Sequence, residues 1–351
     1  MPSAPSTDPT SPAALIAALD PWRRALYDFD EDALRKARAS VFADDALVQL
    51  GHPFETLDGP GDLVDTALLP LFHAMPDAER RDTIVVAGRA GTGTDWVGCC
   101  GYWCGTFERP WMGIPPTHRV ATMRFHEFFR VLEGRVVEVQ AIWDLPELMM
   151  QAGAWPMSPS LGREWHVPGP VTQDGLARAE GAHARTDESF RIVSDMLEGL
   201  GRHAEGGVEA MGLERYWHPR SSWYGPSGIG TSRRIDGFRD RHQIPFLNAL
   251  PDRTGGTDGR GHLFAEGDYV AFTGWPGMSM TVSGDGWLGI APADQRITMR
   301  SLDFWRVENG LIRENWVLID LLHVYAQLGV DVLGRMRELA WPGLGRRVDP
   351  T

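Results

Sequence analysis

Asp320 stands in the apolar stretch "NWVLIDLLHVY" (315–325), where an acidic side chain is costly unless it is paired, exposed or used in chemistry. Two interpretations stay open. A carboxylate in a water-poor cavity has a raised pKa and acts as a general base near neutral pH. A carboxylate just before a helix accepts hydrogen bonds from free backbone N–H groups, and an apolar helical pattern follows Asp320 directly.

The surroundings of Asp320 occur twice in the chain. Residues 111–153 and 287–329 align without a gap at a constant offset of 176 positions, which places Asp144 opposite Asp320. Each copy follows amphipathic helices and ends with a strand hairpin and a short helix, which predicts an α+β fold with two tandem domains. The predicted boundaries are a disordered N-terminus at 1–12, domains at 13–155 and 183–341, a Pro/Gly-rich linker at 156–182 and a C-terminal tail at 342–351.

The hairpin of the second copy predicts which side chains share a face. A two-residue turn at Asn309–Gly310 would pair Asp303 with Trp316, and Met299 with Asp320. Asp303, Glu314, Trp316 and Asp320 would then line one face of the sheet. A register shifted by one residue would replace Asp303 on that face with Arg300, Leu302 and Phe304, so both arrangements stay open.

Further polar and aromatic residues are candidates for a pocket beside these acids. A tyrosine or histidine near a carboxylate could bind a phenol or stabilise an enolate oxygen, and 14 tryptophans favour a flat aromatic ligand. The alternative for each histidine and tryptophan is an ordinary core or surface position. The predicted catalytic residues are Asp320, Asp144, His218, Tyr224 and His242, and the predicted substrate-binding residues are Trp316, Glu314, Asp303, Trp223, Trp275, Trp287, His52, Tyr102 and Trp103.

Composition excludes several classes of function. The net charge of −13 argues against a nucleic-acid or anionic-membrane partner, which would need clustered Lys and Arg. The sequence shows no secretory signal and no apolar stretch long enough to span a bilayer, so a cytoplasmic protein is expected. Lys36 is the one lysine and lies in a charged stretch, which disfavours imine chemistry. Three close cysteines, at 99, 100 and 104, predict small buried thiols rather than a metal site.

Several short motifs resemble the SnoaL-like polyketide cyclases of the NTF2-like superfamily. They are "GIPPT", "FRVLEG" and "QAG" in the first half, and "FWRVENGLIRENWVLIDLL" followed by "QLG" in the second. The resemblance implies two cones, each a curved antiparallel sheet wrapped by helices around a pocket. It also implies aldol closure without metal or organic cofactor, with an acid at the end of the last strand that falls on Asp320 and Asp144. Trp103 stands where the family often has a histidine, so the polyketide substrate does not transfer directly.

The favoured functional hypothesis is a cofactor-free acid/base enzyme that breaks a C–C bond in an aromatic small molecule. Relatives in the resembled family include lyases that release formaldehyde from lignin-derived diaryl compounds. The alternatives are an aldol-type polyketide cyclase, a hydrolase or dehydratase with a positioned water, and a non-catalytic binding or scaffold protein. The two halves are expected to pair within the chain, and further homo-oligomerisation is left open.

Overall fold

The structure is a computed structural model that describes residues 8–179, 181–255 and 261–340. Residues 1–7 of the predicted disordered N-terminus and the predicted C-terminal tail lie outside these ranges. Within the described part of the chain, no helix combines the length and the apolar character needed to cross a membrane.

Two capped helices open the first domain. The side chains of Ser11 and Asp30 accept hydrogen bonds from the backbone N–H groups of Ala14 and Ala33, at 3.4 and 2.7 Å. These caps satisfy donors that have no partner inside a helix. The helices of this domain are α1 (Pro12–Tyr27), α2 (Glu31–Val41), α3 (Gly59–Asp62), α4 (Leu69–Ala74) and α5 (Leu145–Gln151), with a π-helical turn at Leu63–Leu68.

The first domain has a six-stranded sheet with the order β2-β1-β6-β5-β4-β3. Its strands are β1 (Phe42–Leu50), β2 (Glu55–Leu57), β3 (Glu79–Arg89), β4 (Asp95–Thr106), β5 (Val120–Leu132) and β6 (Arg135–Trp143). The predicted sheet was fully antiparallel, but β1 runs parallel to β6. The sheet is therefore mixed, because the chain returns to β6 from the far edge and lies beside the first strand.

The second domain repeats this architecture, with the strand order β10-β11-β14-β15-β7-β8 and a small sheet β13-β12-β9 beside it. Its strands are β7 (Trp217–Tyr224), β8 (Thr231–Arg233), β9 (Thr254–Gly255), β10 (Gly261–Glu266), β11 (Tyr269–Gly274), β12 (Met278–Val282), β13 (Gln295–Met299), β14 (Ser301–Glu308) and β15 (Leu311–Ile319). Its helices are α6 (Thr186–Leu200), α7 (His203–Ala210), α8 (Arg234–Phe238), α9 (Ile244–Ala249), α10 (Leu321–Gln327) and α11 (Val332–Ala340). The predicted α+β class with two tandem copies is confirmed.

The hairpin between β14 and β15 has the predicted turn but not the predicted register. Asn309 and Gly310 both have positive φ, at 51° and 75°, as a two-residue hairpin turn requires. A β-bulge at Arg313 then shifts the pairing by one residue, so Asp303 lies opposite Val317. The predicted pairs of Asp303 with Trp316 and of Met299 with Asp320 are therefore wrong. Asp303 and Trp316 face opposite sides of the sheet.

The two large sheets pack face to face. The rings of Phe128 of β5 and Phe304 of β14 pack against each other across the boundary at a tilt of 31°, with centroids 5.0 Å apart. Trp316, Leu318 and other apolar side chains of both sheets complete this interdomain core. The opposite face of each sheet is covered by the helices of its own domain, so each domain has a concave interior separate from the interdomain core. We call these interiors the first cone (within 12–151) and the second cone (within 186–327).

Candidate functional site

The face that carries Asp320 looks toward the other domain and not into the second cone. Glu314, Trp316 and Leu318 share one face of β15, as predicted from strand periodicity, and Trp316 and Leu318 belong to the interdomain core. The Trp316 indole N–H donates to the carbonyl of Pro168 in the linker, at 2.9 Å. Asp320, Glu314 and Trp316 therefore lie between the domains.

Asp320 is an N-cap that also bridges the two domains. Its Oδ1 accepts from the backbone N–H of His323 at 3.1 Å, and its Oδ2 accepts from Arg300 at 3.0 Å. Oδ2 also accepts from the backbone N–H of His52 in the first domain, at 2.9 Å. The residue is 4% exposed, and burial raises the pKa of its carboxyl against the opposing effect of Arg300. The capping interpretation is confirmed, whereas the catalytic one stays a prediction.

Asp144 makes the same set of contacts in the first copy. It accepts from the backbone N–H of Glu147 at 3.3 Å and from the backbone N–H of Ser227 in the second domain at 3.0 Å. Arg124 lies 3.5 Å away, as Arg300 lies beside Asp320. The side chain is 3% exposed, and burial raises its pKa. Each domain thus contributes an aspartate that is paired with an arginine and accepts a hydrogen bond from the backbone of the other domain.

The contacts of Asp320 and Asp144 predict a structural effect when either is replaced. We expect D320N and D144N each to lower the free energy of unfolding by about 2–3 kcal/mol, because a buried arginine and a cross-domain N–H lose their ionic partner. Turnover per folded molecule should change by less than about tenfold. Urea denaturation and steady-state kinetics of the same preparations measure both quantities. A loss of turnover above about 100-fold at unchanged stability would instead identify the substituted residue as catalytic.

The structure separates the other predicted site residues into four groups. The Tyr224 hydroxyl donates to Glu314 at 3.2 Å, and the Tyr102 hydroxyl donates to the carbonyl of Val167 at 2.8 Å, so both belong to the interdomain region. His52 and Trp275 lie there too, and Trp275 stacks on Arg300. The ring nitrogen Nδ1 of His218 lies at the domain edge beside Arg313 and the N–H of Arg220. Trp103 lies in the first cone, and Asp303, Trp223, His242 and Trp287 lie in the second.

The interdomain region offers little room beside Asp144. A polar cavity there has a free volume of about 10 Å³, roughly the space that one water molecule needs. Its lining residues are Tyr102, Arg124, Asp144, Glu147, Arg163, Glu164, Trp165, Val167, Gly225, Ser227, Gly230 and Thr231. A guest larger than water does not fit there without movement of the linker residues.

The first cone contains an acid that the sequence reasoning missed. Glu127 on β5 aligns with Asp303 at the offset of the duplication, and that alignment was the signal that could have revealed it. Its carboxylate lies 2.5 Å from a guanidinium nitrogen of Arg80 and accepts from the Trp143 indole at 2.8 Å. Arg80 also lies over the ring of Phe125. The negative charge of Glu127 is therefore balanced by the buried guanidinium of Arg80.

The first cone is also nearly filled. The cavity beside Glu127 has a free volume of about 10 Å³. Bulky side chains from α1, β4 and β6 occupy the rest of the space, among them Trp22, Trp103 and Trp143. A filled cone with a paired acid has the character of a packed core.

The second cone presents Asp303 without a cation. Across the sheet, Asp303 lies between Phe272 of β11 and Val317 of β15. The Ser301 hydroxyl donates to its Oδ2 at 2.6 Å, and no ion pair to Asp303 occurs within the described ranges. Burial raises the pKa of this carboxyl to about 7, and Ser301 and Asn315 oppose that rise only in part. The residue as a whole is half-buried and not fully enclosed.

Aromatic side chains line the second cone near Asp303. The neighbouring strands place Trp305, Asn315 and Trp223 side by side in one row on the concave face. His242 stacks on Trp223 with ring centroids 4.3 Å apart, and burial lowers the pKa of His242 to about 3, so its ring is neutral at physiological pH. Phe246 continues the aromatic contact from His242 at 5.3 Å. An acid with a pKa near 7 beside flat apolar walls suits proton transfer on an aromatic molecule.

The described residues contain neither a cluster of metal ligands nor a fully exposed thiol. None of their His, Cys, Asp and Glu side chains form a group of three or more that could hold a metal ion. Cys99 and Cys100 are buried, as predicted, and burial raises the pKa of both thiols to about 12. Cys104 is half-buried.

A helix-wrapped sheet present twice in one chain, with an acid on the concave face of each copy, defines a tandem NTF2-like protein. The family model of SnoaL-like polyketide cyclases matches residues 6–152 and 209–328, which is more than half of the chain. The chain therefore belongs to the SnoaL-like polyketide cyclase family. The predicted resemblance and the predicted duplication are both confirmed.

Solved structures of similar fold each match about two fifths of the chain. IdmH from Streptomyces antibioticus is 22% identical over 40% of this chain and 98% of its own, with a TM-score of 0.33. TsrD from Streptomyces laurentii is 25% identical over 40% and 96%, with a TM-score of 0.31. An NTF2-like protein from Burkholderia thailandensis is 16% identical over 39% and 95%, with a TM-score of 0.31. None of the curated proteins compared with the chain matches it.

Proposed function

We propose that the protein is an acid/base enzyme that makes or breaks a C–C bond in an aromatic small molecule, and that the second cone is its active site. Membership of the SnoaL-like family supports an enzyme of the cyclase or isomerase type. The observation that carries the proposal is Asp303, which is half-buried and forms no ion pair with any residue that the structure describes. Such a group changes protonation near neutral pH, as a general base must.

The same carboxylate serves both directions of the reaction. In the aldol direction, Asp303 removes a proton from a carbon next to a carbonyl, and the resulting enolate carbon attacks a second carbonyl carbon. The new alkoxide then takes the proton back from Asp303. In the lyase direction, the phenol first loses its benzylic hydroxyl as water and becomes a para-quinone methide. Asp303 then removes the O–H proton of the neighbouring hydroxymethyl group, the C–C bond breaks and formaldehyde leaves. The electron pair of the broken bond forms a C=C bond as the quinone methide returns to a phenolate, which takes the proton back from Asp303.

The first cone favours a second, non-catalytic role for its half of the chain. Its acid is held by Arg80 and its interior is filled. We propose that the first domain supports the second through the shared sheet-to-sheet core, which is a scaffold function. The second domain then has the role of the enzyme hypothesis, and the first domain has the role of the scaffold hypothesis.

A substrate panel tests the proposed function. The full chain is incubated at pH 8 with polyketide-like aryl diketones and with hydroxymethyl diaryl phenols, and products are read by mass spectrometry and by a formaldehyde assay. The wild type should turn over at least one class, and D303N should lose that turnover. D285N is the matched control, because Asp285 is an exposed acid of the same domain. Equal turnover by D303N and D285N would contradict the proposal.

A further inference from the structure

Trp305 carries a buried hydrogen-bond donor without a partner. The residue is 3% exposed, and its indole Nε1 has no hydrogen-bond partner in the part of the chain that the structure describes. Leaving a buried donor unpaired costs about 1–3 kcal/mol. Such a cost is tolerated where a ligand supplies the missing acceptor.

Trp305 is a close neighbour of Asp303. The two residues lie two positions apart on β14 and therefore point to the same concave face, about 7 Å apart along the strand. Across the sheet, Trp305 pairs with Asn315, and Asn315 pairs with Trp223. The small amide thus lies between two indoles on strands about 10 Å apart. This arrangement places one indole on each side of Asn315, with Asp303 in the adjacent row of the sheet.

The first cone shows the same two chemical groups joined to each other. There the Trp143 indole donates to Glu127 at 2.8 Å, so the donor and the acid satisfy one another. At the positions aligned with Trp143 and Phe129, the second cone has Ile319 and Trp305. The indole donor of the second cone therefore lies on β14, at Trp305, and does not donate to Asp303. The second cone leaves both an acid and a donor for a guest.

We propose that Trp305 is a catalytic residue whose indole N–H binds the carbonyl oxygen of a flat, uncharged aryl ketone. The proposal rests on the proposed role of Asp303 and adds the substrate class. An uncharged substrate is proposed because, among the residues that the structure describes, no cation pairs with Asp303 and could also attract an anionic substrate. Two indoles flanking a short amide suit a planar ring system.

The step that Trp305 assists is proton removal next to the ketone. The C–H proton moves to the carboxylate of Asp303, and the C–H electron pair forms the C=C bond of an enolate. The carbonyl π electrons move onto the oxygen, where negative charge develops. The Trp305 N–H donates to that oxygen, and this hydrogen bond is stronger in the transition state than in the ground state.

Ligand binding tests the role of Trp305 without any need for turnover. The full chain with ¹⁵N-labelled tryptophan is titrated with 2-acetylnaphthalene and with 2-ethylnaphthalene, which differ in the carbonyl oxygen. We expect the Trp305 indole proton to shift downfield with the ketone and not with the hydrocarbon. In W305F, the preference for the ketone over the hydrocarbon should fall roughly 3- to 10-fold, the value of one neutral hydrogen bond.

Trp217 supplies the matched control. Its indole Nε1 is also buried without a partner among the described residues, but it lies on β7 opposite Ile312, several rows from Asp303. W217F should keep the ketone preference. An indole shift that is the same for both ligands, an unchanged preference in W305F, or no binding of either compound would overturn the proposal. The wild-type spectra answer the question even if W305F does not fold.

The outcomes separate this inference from the proposed function. Suppose that W305F loses the ketone preference while D303N keeps full turnover. That result would contradict the proposed role of Asp303 but still support carbonyl binding by Trp305. Loss of turnover in D303N together with an unchanged ketone preference in W305F would contradict only the role of Trp305.

Discussion

Replacement of Asp303 by Asn is expected to lower turnover by about 10²- to 10⁴-fold, the usual contribution of a general base. The change keeps the size of the side chain and its hydrogen bond with Ser301 but removes the proton acceptor. In the wild type, kcat/KM should rise with pH through about 7, because only the ionised carboxyl accepts a proton. That rise should be absent from the residual activity of D303N. A D303N profile that keeps both the rate and the inflection would contradict the assignment.

The same substitution should stabilise the fold at alkaline pH. The pKa of Asp303 is about 7 in the folded protein, against an ordinary value of 3.8, so the folded state holds the proton more tightly. Stability from this group is complete below pH 4 and is lost as the pH rises to 7. The shift corresponds to about 4 kcal/mol, an upper bound because the residue is only half-buried. D303N should therefore match the wild type at pH 4 and exceed it at pH 8 in urea denaturation.

Replacement of Arg80 by Met is expected to destabilise the protein by about 3–5 kcal/mol, the typical result of removing one partner of a buried ion pair. Arg80 is 2% exposed and lies between Glu127 and Asp82, 2.5 and 3.0 Å from their carboxylates. Without the guanidinium, the Glu127 carboxylate stays buried without a cation. Chemical denaturation at pH 7 measures the loss.

A double substitution provides the control for this expectation. R80M/E127L removes both charges of the pair, and a well-packed apolar pair of similar volume is often neutral or stabilising. The double variant should therefore recover most of the stability lost in R80M. Turnover by the folded double variant should match the wild type if the first cone only supports the second. A large loss of turnover without a loss of stability would instead assign chemistry to the first cone.

Much of the fold was accessible from the sequence because the duplication can be read directly. Two copies related by a constant offset predicted two equivalent domains, and Asn309–Gly310 predicted the hairpin turn. The register failed because a bulge at Arg313 adds one residue to β15, and no residue type marks such a bulge. One residue of shift moved Asp303 to the concave face and left Arg300 beside Asp320.

The position of the site was harder to predict than the fold. Strand periodicity shows which residues share a face, but it does not show which face lines the cone and which packs on the other domain. Asp320 and Trp316 share a face as expected, and that face is covered by the first domain. The sequence predicts Asp303 on the same face as Trp316. In the structure Asp303 lies on the opposite, concave face of the sheet. The offset of the duplication relates Glu127 to Asp303 and is the sequence signal for this second acid.

The duplication explains why the two acids differ. Two copies of one fold start with equivalent side chains, and each copy is then free to change alone. Ser301 and Asn315 replace the apolar Phe125 and Val139 of the first copy, so the second cone gained polar groups next to its acid. The first cone instead pairs its acid with Arg80. This division makes the second domain the place to look for substrate.

The ionisation of Asp303 tests the central claim most directly. The full chain labelled with ¹³C at the aspartate carboxyl groups is titrated from pH 4 to pH 9, and D303N assigns the resonance. We expect the Asp303 carboxyl to titrate with a pKa of about 7 and to shift further when an aryl ketone is added. A pKa below 5 that does not respond to ligand would contradict the claim that the second cone holds a general base.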